Sequence, residues 1–288
     1  MVRSFYYMDH NYTFINYIQK YVIMIRLLII SLVFISCEGN TIRVDNSKLV
    51  SYELQAEELR SDTLLVGIQK RIYNSFVQSL MSKDHNSLSI LSGELEELNK
   101  VKKQNIILYW RSYLQFYLSI YHLENGDKKR SVQEIDKGID WLNEMKKKNS
   151  EDHALLAMLQ SFGIQFKGMK AMFISGTIKK NAKRAIATDS TNLRAYYVYA
   201  SNDFHTPEKY GGGKETEEYL LKAISLPAQK MKNDYLPSWG KEESYEMLIK
   251  LNIKKEKWDL AKKYFQEAIK EYPDSYSINQ LASKLVGK

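Results

Sequence analysis

The sequence predicts an all-α protein of antiparallel helical hairpins stacked as a solenoid, and three observations carry that reading. No run shows the strict apolar alternation, bounded by turn residues, that marks a half-buried strand. The four prolines are Pro207, Pro227, Pro237 and Pro273, so none interrupts a helix before residue 207. Apolar residues instead recur at helical spacing, most plainly at Ile106, Trp110, Tyr113, Leu114, Tyr117, Leu118 and Tyr121, which share one helix face.

From the N-terminus, residues 1–23 are aromatic and polar, with Phe5-Tyr6-Tyr7 and Asp9. Met24-Ile25-Arg26 makes an ordinary start, so residues 1–23 are expected to lie upstream of the true initiator. Arg26 then precedes a short apolar run, Leu27 to Ile35, closed by Ser36 and by Cys37, the only cysteine. The run is shorter than the roughly 20 residues of a spanning helix and fits the apolar region of a cleaved signal; the alternative is a buried helix of the folded domain. The order of basic, apolar and small residues before Cys37 resembles a bacterial lipoprotein signal peptide over residues 24–36, with Phe34 departing from the usual Leu. That resemblance implies lipidation of Cys37 and an address in the cell envelope. Glu38 stands where an inner-membrane retention Asp would be, which favours the outer membrane, facing the periplasm. Residues 37–60 are polar and read as a tether. A single cysteine permits no internal disulfide.

The chain carries +8; Arg3, Lys20 and Arg26 against Asp9 give residues 1–36 a net +2, which leaves +6 for the remainder. Lysines alternate with glutamates, as in Lys254-Lys255-Glu256-Lys257, the pattern of a solvated helix surface, so no nucleic-acid partner is expected. The remaining stretch, about 250 residues, suffices for one large core or two small ones.

The helical domain is expected over 61–288. Weaker helices occupy 64–101. The stripe from Ile106 to Tyr121 is followed by Asn125-Gly126-Asp127, a turn in which Gly is free to take positive φ, and by a second stripe at Val132, Ile135, Ile139 and Leu142. Two amphipathic helices joined so tightly are antiparallel neighbours. With Gly126 at position 15 of a 34-residue period, Ser119, Ser131 and Gly138 fall at positions 8, 20 and 27, where small residues are needed. Ala261, Phe265, Ala268 and Pro273 fall at 20, 24, 27 and 32, with Trp258 at 17, although Ile249 occupies position 8. Ala185-Ile186-Ala187-Thr188-Asp189-Ser190 closes another unit, and Leu193 with Ala200 opens the next. This spacing resembles the tetratricopeptide repeat, from about 104 to 272. The resemblance implies hairpins that bury one another's apolar faces and leave a concave groove. Residues 274–286 read as a capping helix.

One insert breaks the pattern. Ala200 and Ala223 sit four residues further apart than the repeat allows, and the excess falls in His205 to Glu215, which contains Tyr210, Gly211, Gly212, Gly213, Lys214 and Glu215. A phosphate-binding loop is excluded, because Glu follows Lys214 and no Gly stands five residues before Gly213. Two readings stand: a tight loop that docks the next helix, or a contact for a ligand or partner. The Tyr-Gly-Gly-Gly-Lys-Glu sequence resembles an insert of tetratricopeptide lipoproteins from Bacteroidetes, and its double-glycine turn is similar to one in the helical periplasmic component associated with some TRAP transporters. Those resemblances imply an accessory or binding component. Leu236 to Glu242, with Pro237, Ser238 and Trp239, reads as the start of the next helix, with Trp239 either a packed cap or a ligand platform. The tyrosines at 109, 113, 117 and 121, and at 196, 197 and 199, read as core or as a groove surface for a peptide or glycan.

Catalytic signatures are lacking. His10, His85, His122, His153 and His205 include no i, i+4 pair, and neither HExxH nor Gly-x-Ser-x-Gly occurs. No metal or cofactor is expected. The leading expectation is a non-enzymatic, lipid-anchored binding or scaffold protein that engages an envelope protein or peptide. The alternative is an accessory solute-binding component of a transport system, and an enzyme ranks third.

Overall fold

The computed structural model describes residues 63–288. The expected leader, Cys37 and the expected polar tether over 37–60 lie outside the described residues. Within them the chain is all-helical, with no strand. The helices are α1 (Ile68–Ser82), α2 (Asn86–Lys102), α3 (Asn105–Glu124), α4 (Lys128–Glu144), α5 (Ser150–Gly163), α6 (Ala171–Thr188), α7 (Leu193–His205), α8 (Thr216–Ser225), α9 (Lys241–Lys254), α10 (Trp258–Glu271), α11 (Tyr276–Asn279) and α12 (Ala282–Leu285).

Successive helices pair as hairpins, α1 with α2 through α9 with α10, and each hairpin packs on the next. The close crossings fall where the repeat spacing places them. The Ser119 hydroxyl donates to the Ser131 carbonyl at 2.7 Å, a bond between buried groups that holds α3 against α4. A Cβ on Gly138 would lie 2.9 Å from Leu159 Cδ2 and 3.2 Å from Gln115 Cβ, so α4 approaches both neighbours too closely for any larger residue. Ala185, Ala200, Ala223, Ala261 and Ala268 are fully buried, and so is Ile249.

Two hairpin turns share one bonding pattern. In the first, the amides of Asn125, Gly126 and Asp127 donate to the carbonyls of Tyr121, Leu123 and His122; in the last, Lys255, Glu256 and Lys257 donate to Leu251, Ile253 and Asn252. Gly126 has φ 79°, and Glu256 occupies the equivalent place at φ 54°, so the turn imposes the left-handed conformation whether or not glycine is available. Asp127 caps α4 by accepting from the Arg130 amide, and Asn192 caps α7 through the Arg194 amide.

The C-terminal cap differs from the single helix expected over 274–286. Ile278, Leu281 and Leu285 are buried as the stripe requires. The backbone, however, tightens at Gln280–Leu281: Leu281 donates to Ile278 and Lys284 donates to Leu281, both i to i+3 bonds, which split the segment into α11 and α12. The start of α9 also lies later than expected. Gly240 adopts φ 104° and caps the helix from outside, so Pro237, Ser238 and Trp239 belong to the preceding segment.

That segment, 226–240, departs most from a simple stack. It runs back along the N-terminal ends of α1, α3 and α7. The Gly67 amide donates to the Asp234 carbonyl, the Trp110 indole to the Tyr235 carbonyl at 2.9 Å, and the Ser238 amide to Gln69 Oε1 at 2.8 Å. Arg194, 5% exposed, clamps both ends: it binds the carbonyls of Ala228 and Trp239 while its Nε and Nη2 grip the Glu151 carboxylate at 2.5 Å each. One core extends from Leu65 through Tyr199 and includes Trp239; a second extends from Ala200 to Leu285. Tyr197 and Tyr219 pack against both.

Candidate functional site

The insert between α7 and α8 is held by an acid that lies outside it. Asp203, in the last turn of α7, is 3% exposed. Its carboxylate accepts the Glu215 amide at 2.9 Å and the Thr216 hydroxyl at 2.8 Å, and its carbonyl accepts the Gly213 amide at 2.9 Å. Asp203 thus ties the residue that precedes α8 and the first hydroxyl of that helix to the end of α7.

The glycines divide into two kinds. Gly211 and Gly213 take φ 86° and 79° in open space, whereas a Cβ on Gly212 would stand 1.9 Å from the Thr206 carbonyl oxygen. Gly212 is therefore fixed by close backbone approach, and the other two by conformation. Around this anchor Glu208–Tyr210 forms one 3-10 turn that projects Tyr210, 61% exposed, with the Lys209 ammonium 4.9 Å from its ring centre. Lys214 is exposed, and His205 is exposed with Nδ1 2.8 Å from the Ser201 carbonyl.

Glu215 joins the insert to α6. One carboxylate oxygen receives the Lys179 ammonium at 2.6 Å and the Tyr199 hydroxyl at 2.7 Å. Lys179 and then Tyr199 hold this carboxyl below its ordinary range, so it remains an anion. The Tyr199 ring stacks on Tyr219 at 4.0 Å between centres, and Lys179 lies 4.8 Å over it. Beyond Lys179, an open depression of about 480 Å³ runs along α6 between Gly176 and Ala187, flanked by Lys180, Lys183 and Arg184.

The structure thus brings together seven of the sequence-derived residues, 205 and 210–215, and sets Trp239 apart. Trp239 is 4% exposed; its indole donates to the Tyr109 hydroxyl at 2.8 Å and its ring stacks near Tyr113. The tyrosine stripe of α3 is likewise interior: Tyr109, Tyr113 and Tyr121 are buried, and the chain's own Trp239 packs beside Tyr109 and Tyr113. Sequence reasoning missed Asp203, Lys179 and Arg194. Only Arg194 left a trace, as a charged residue inside the apolar opening Leu193-Arg194-Ala195-Tyr196.

Among the described residues no group of three or more His, Cys, Asp or Glu side chains is placed to hold a metal ion, and no helix is long and apolar enough to cross a membrane. Fold and site together define a stack of helical hairpins bearing one exposed loop, tied down through Asp203 and Gly212, beside a cationic helix face. No known protein family and no curated protein sequence matches the chain.

Proposed function

We propose that this chain is a non-enzymatic, tetratricopeptide-type binding or scaffold lipoprotein of the bacterial cell envelope, anchored through Cys37 in the outer membrane and engaging a protein or peptide through the 205–215 loop. The observation that carries this reading is the loop's construction. Asp203 and Gly212 fix its backbone, and Tyr210 stands out from it with most of its ring exposed. A loop already in one conformation loses little entropy on binding, and a tyrosine provides a large contact area with a polar tip.

The test is envelope crosslinking with mass spectrometry, comparing the wild type with the Tyr210→Ala/Lys214→Ala chain. The double variant is expected to lose its partner crosslinks while melting within a degree or two of wild type, because neither side chain is buried. Retained crosslinks in the double variant would remove the loop as the contact. Cys37→Ala is expected to abolish acyl labelling and membrane retention; unchanged labelling would remove the anchor, independently of the loop result.

A further inference from the structure

The most exposed large apolar side chains around α6 have no role in the fold. Met169 is 97% exposed and Phe173 75% exposed; they project where the chain turns from α5 into α6. Along α6, Phe173, Thr177, Lys180 and Arg184 follow i, i+4, i+7 and i+11, and so share one exposed face, with Lys183 beside it. Lys170, Lys180, Lys183 and Arg184 form no ion pair among the described residues, whereas the nearby acids are engaged: Asp136 with Lys167, Asp189 with Lys230, and Glu215 with Lys179. Gly176 and Thr177 leave the middle of this face without bulk, so the open depression along α6 lies between the apolar tip and the cations.

We infer that this face of α6 docks on an anionic lipid surface, with Met169 and Phe173 entering the interfacial layer and Lys170, Lys180, Lys183 and Arg184 lying over the headgroups. The shape selects lipid over an acidic protein. Met169 protrudes from the 3-10 turn ahead of α6 and Phe173 from the first turn of that helix, and a protruding apolar side chain needs a matching pocket on a protein partner, whereas a fluid interface closes around it. Apolar insertion combined with basic attraction is the recognised basis of interfacial binding. The inference depends on neither Cys37 nor the 205–215 loop.

A local probe tests it. In the full chain carrying Cys37→Ala, Thr177→Cys places a single thiol on this face, and Val286→Cys, at a site 79% exposed in the wild type, places one elsewhere for comparison. Each is labelled with an environment-sensitive fluorophore. The apolar residues 27–35 can hold the chain on vesicles of any charge, which is why the signal must be read residue by residue. Vesicles containing phosphatidylglycerol are expected to brighten and blue-shift the label at 177 but not at 286, and pure phosphatidylcholine vesicles neither. Lys180→Gln with Lys183→Gln should raise the lipid concentration at half-signal roughly 25-fold, since each cation near an anionic surface contributes roughly fivefold. Phe173→Ser should raise it on the order of tenfold. No change at 177, equal change at 286, or indifference to the lysine substitutions overturns the inference. A shift produced by polyglutamate but not by vesicles also overturns it and assigns the face to an acidic protein.

Discussion

The three glycines of the insert have separate reasons to be glycine, and the difference is measurable. Gly211 sits at φ 86° with open space where a Cβ would go, so alanine there meets only backbone strain, about 1 kcal/mol. Gly212 has no such strain, but its Cβ would occupy the Thr206 carbonyl. That carbonyl belongs to the cap of α7, where the Thr206 amide and hydroxyl bind back to Asn202, so it cannot withdraw without freeing those bonds. Gly212→Ala is expected to cost about 3 kcal/mol, well above Gly211→Ala, in urea or thermal unfolding. Equal melting temperatures for the two variants would show that the loop relaxes freely, and would weaken the argument that it is preorganised. The glycine run was legible in the sequence as a place where ordinary side chains fail. Which glycine faced a backbone was not, because the obstructing group depends on how the chain folds back on Thr206.

At the scale of the element, the start of α5 combines two opposed demands on one carboxyl. Asp152 completes a capping box: its side chain accepts the Asn149 amide at 2.9 Å while the Asn149 side chain accepts the Asp152 amide at 2.9 Å. Hydrogen bonding of this kind favours the carboxylate. Asp152 is nevertheless 2% exposed, and burial outweighs the bond, pushing the carboxyl up to about 7. A carboxyl raised above its unfolded value of 3.8 binds its proton more tightly in the native state. Its contribution to stability is therefore fully present below the unfolded value, declines as pH rises toward about 7, and is level above that. On the same helix His153 acts in the other direction, since burial, assisted by the Arg184 charge, lowers its imidazole. The clean observable is the difference between wild type and Asp152→Asn, which keeps an acceptor for Asn149 and removes the titration. Urea unfolding of the wild type should lose on the order of 2 kcal/mol more between pH 5 and pH 8 than the variant does. Parallel profiles would mean that water reaches the carboxyl. Boxes of this sort are readable as polar residues ahead of an apolar run, as in Asn149-Ser150-Glu151-Asp152, but their depth is set by α6, whose Ala185 carbonyl receives the neighbouring Ser150 hydroxyl.

Across the whole molecule, the repeat pattern was legible because its constraint is local and periodic: a small residue is needed wherever two helices cross, and Ser119, Ser131, Gly138, Ala261 and Ala268 show that need in one dimension. The 226–240 segment was not, because its bonds join residues as far apart as Gln69 and Ser238, and no period reports a contact made once. Its presence changes how the stack should unfold. In a plain hairpin array each unit is held only by its neighbours, and terminal units fray independently. Here Trp239, just ahead of α9, is built into the N-terminal core through Tyr109 and Tyr113, and the clamp of Arg194 on the Trp239 carbonyl reinforces it. The α9–α10 hairpin is therefore tied both to α8 by packing and to α3 by this strap. Trp239→Ala removes the ring and leaves a cavity, costing about 3–5 kcal/mol, and the loss should be unevenly distributed. In native-state hydrogen exchange the wild type should protect α3 and α9 to similar degrees. In the variant, α9 and α10 should exchange through a separate opening well below the free energy of global unfolding, while α3 to α6 keep most of their protection. A uniform loss across all helices would mean that the strap follows the stack rather than joining its two cores.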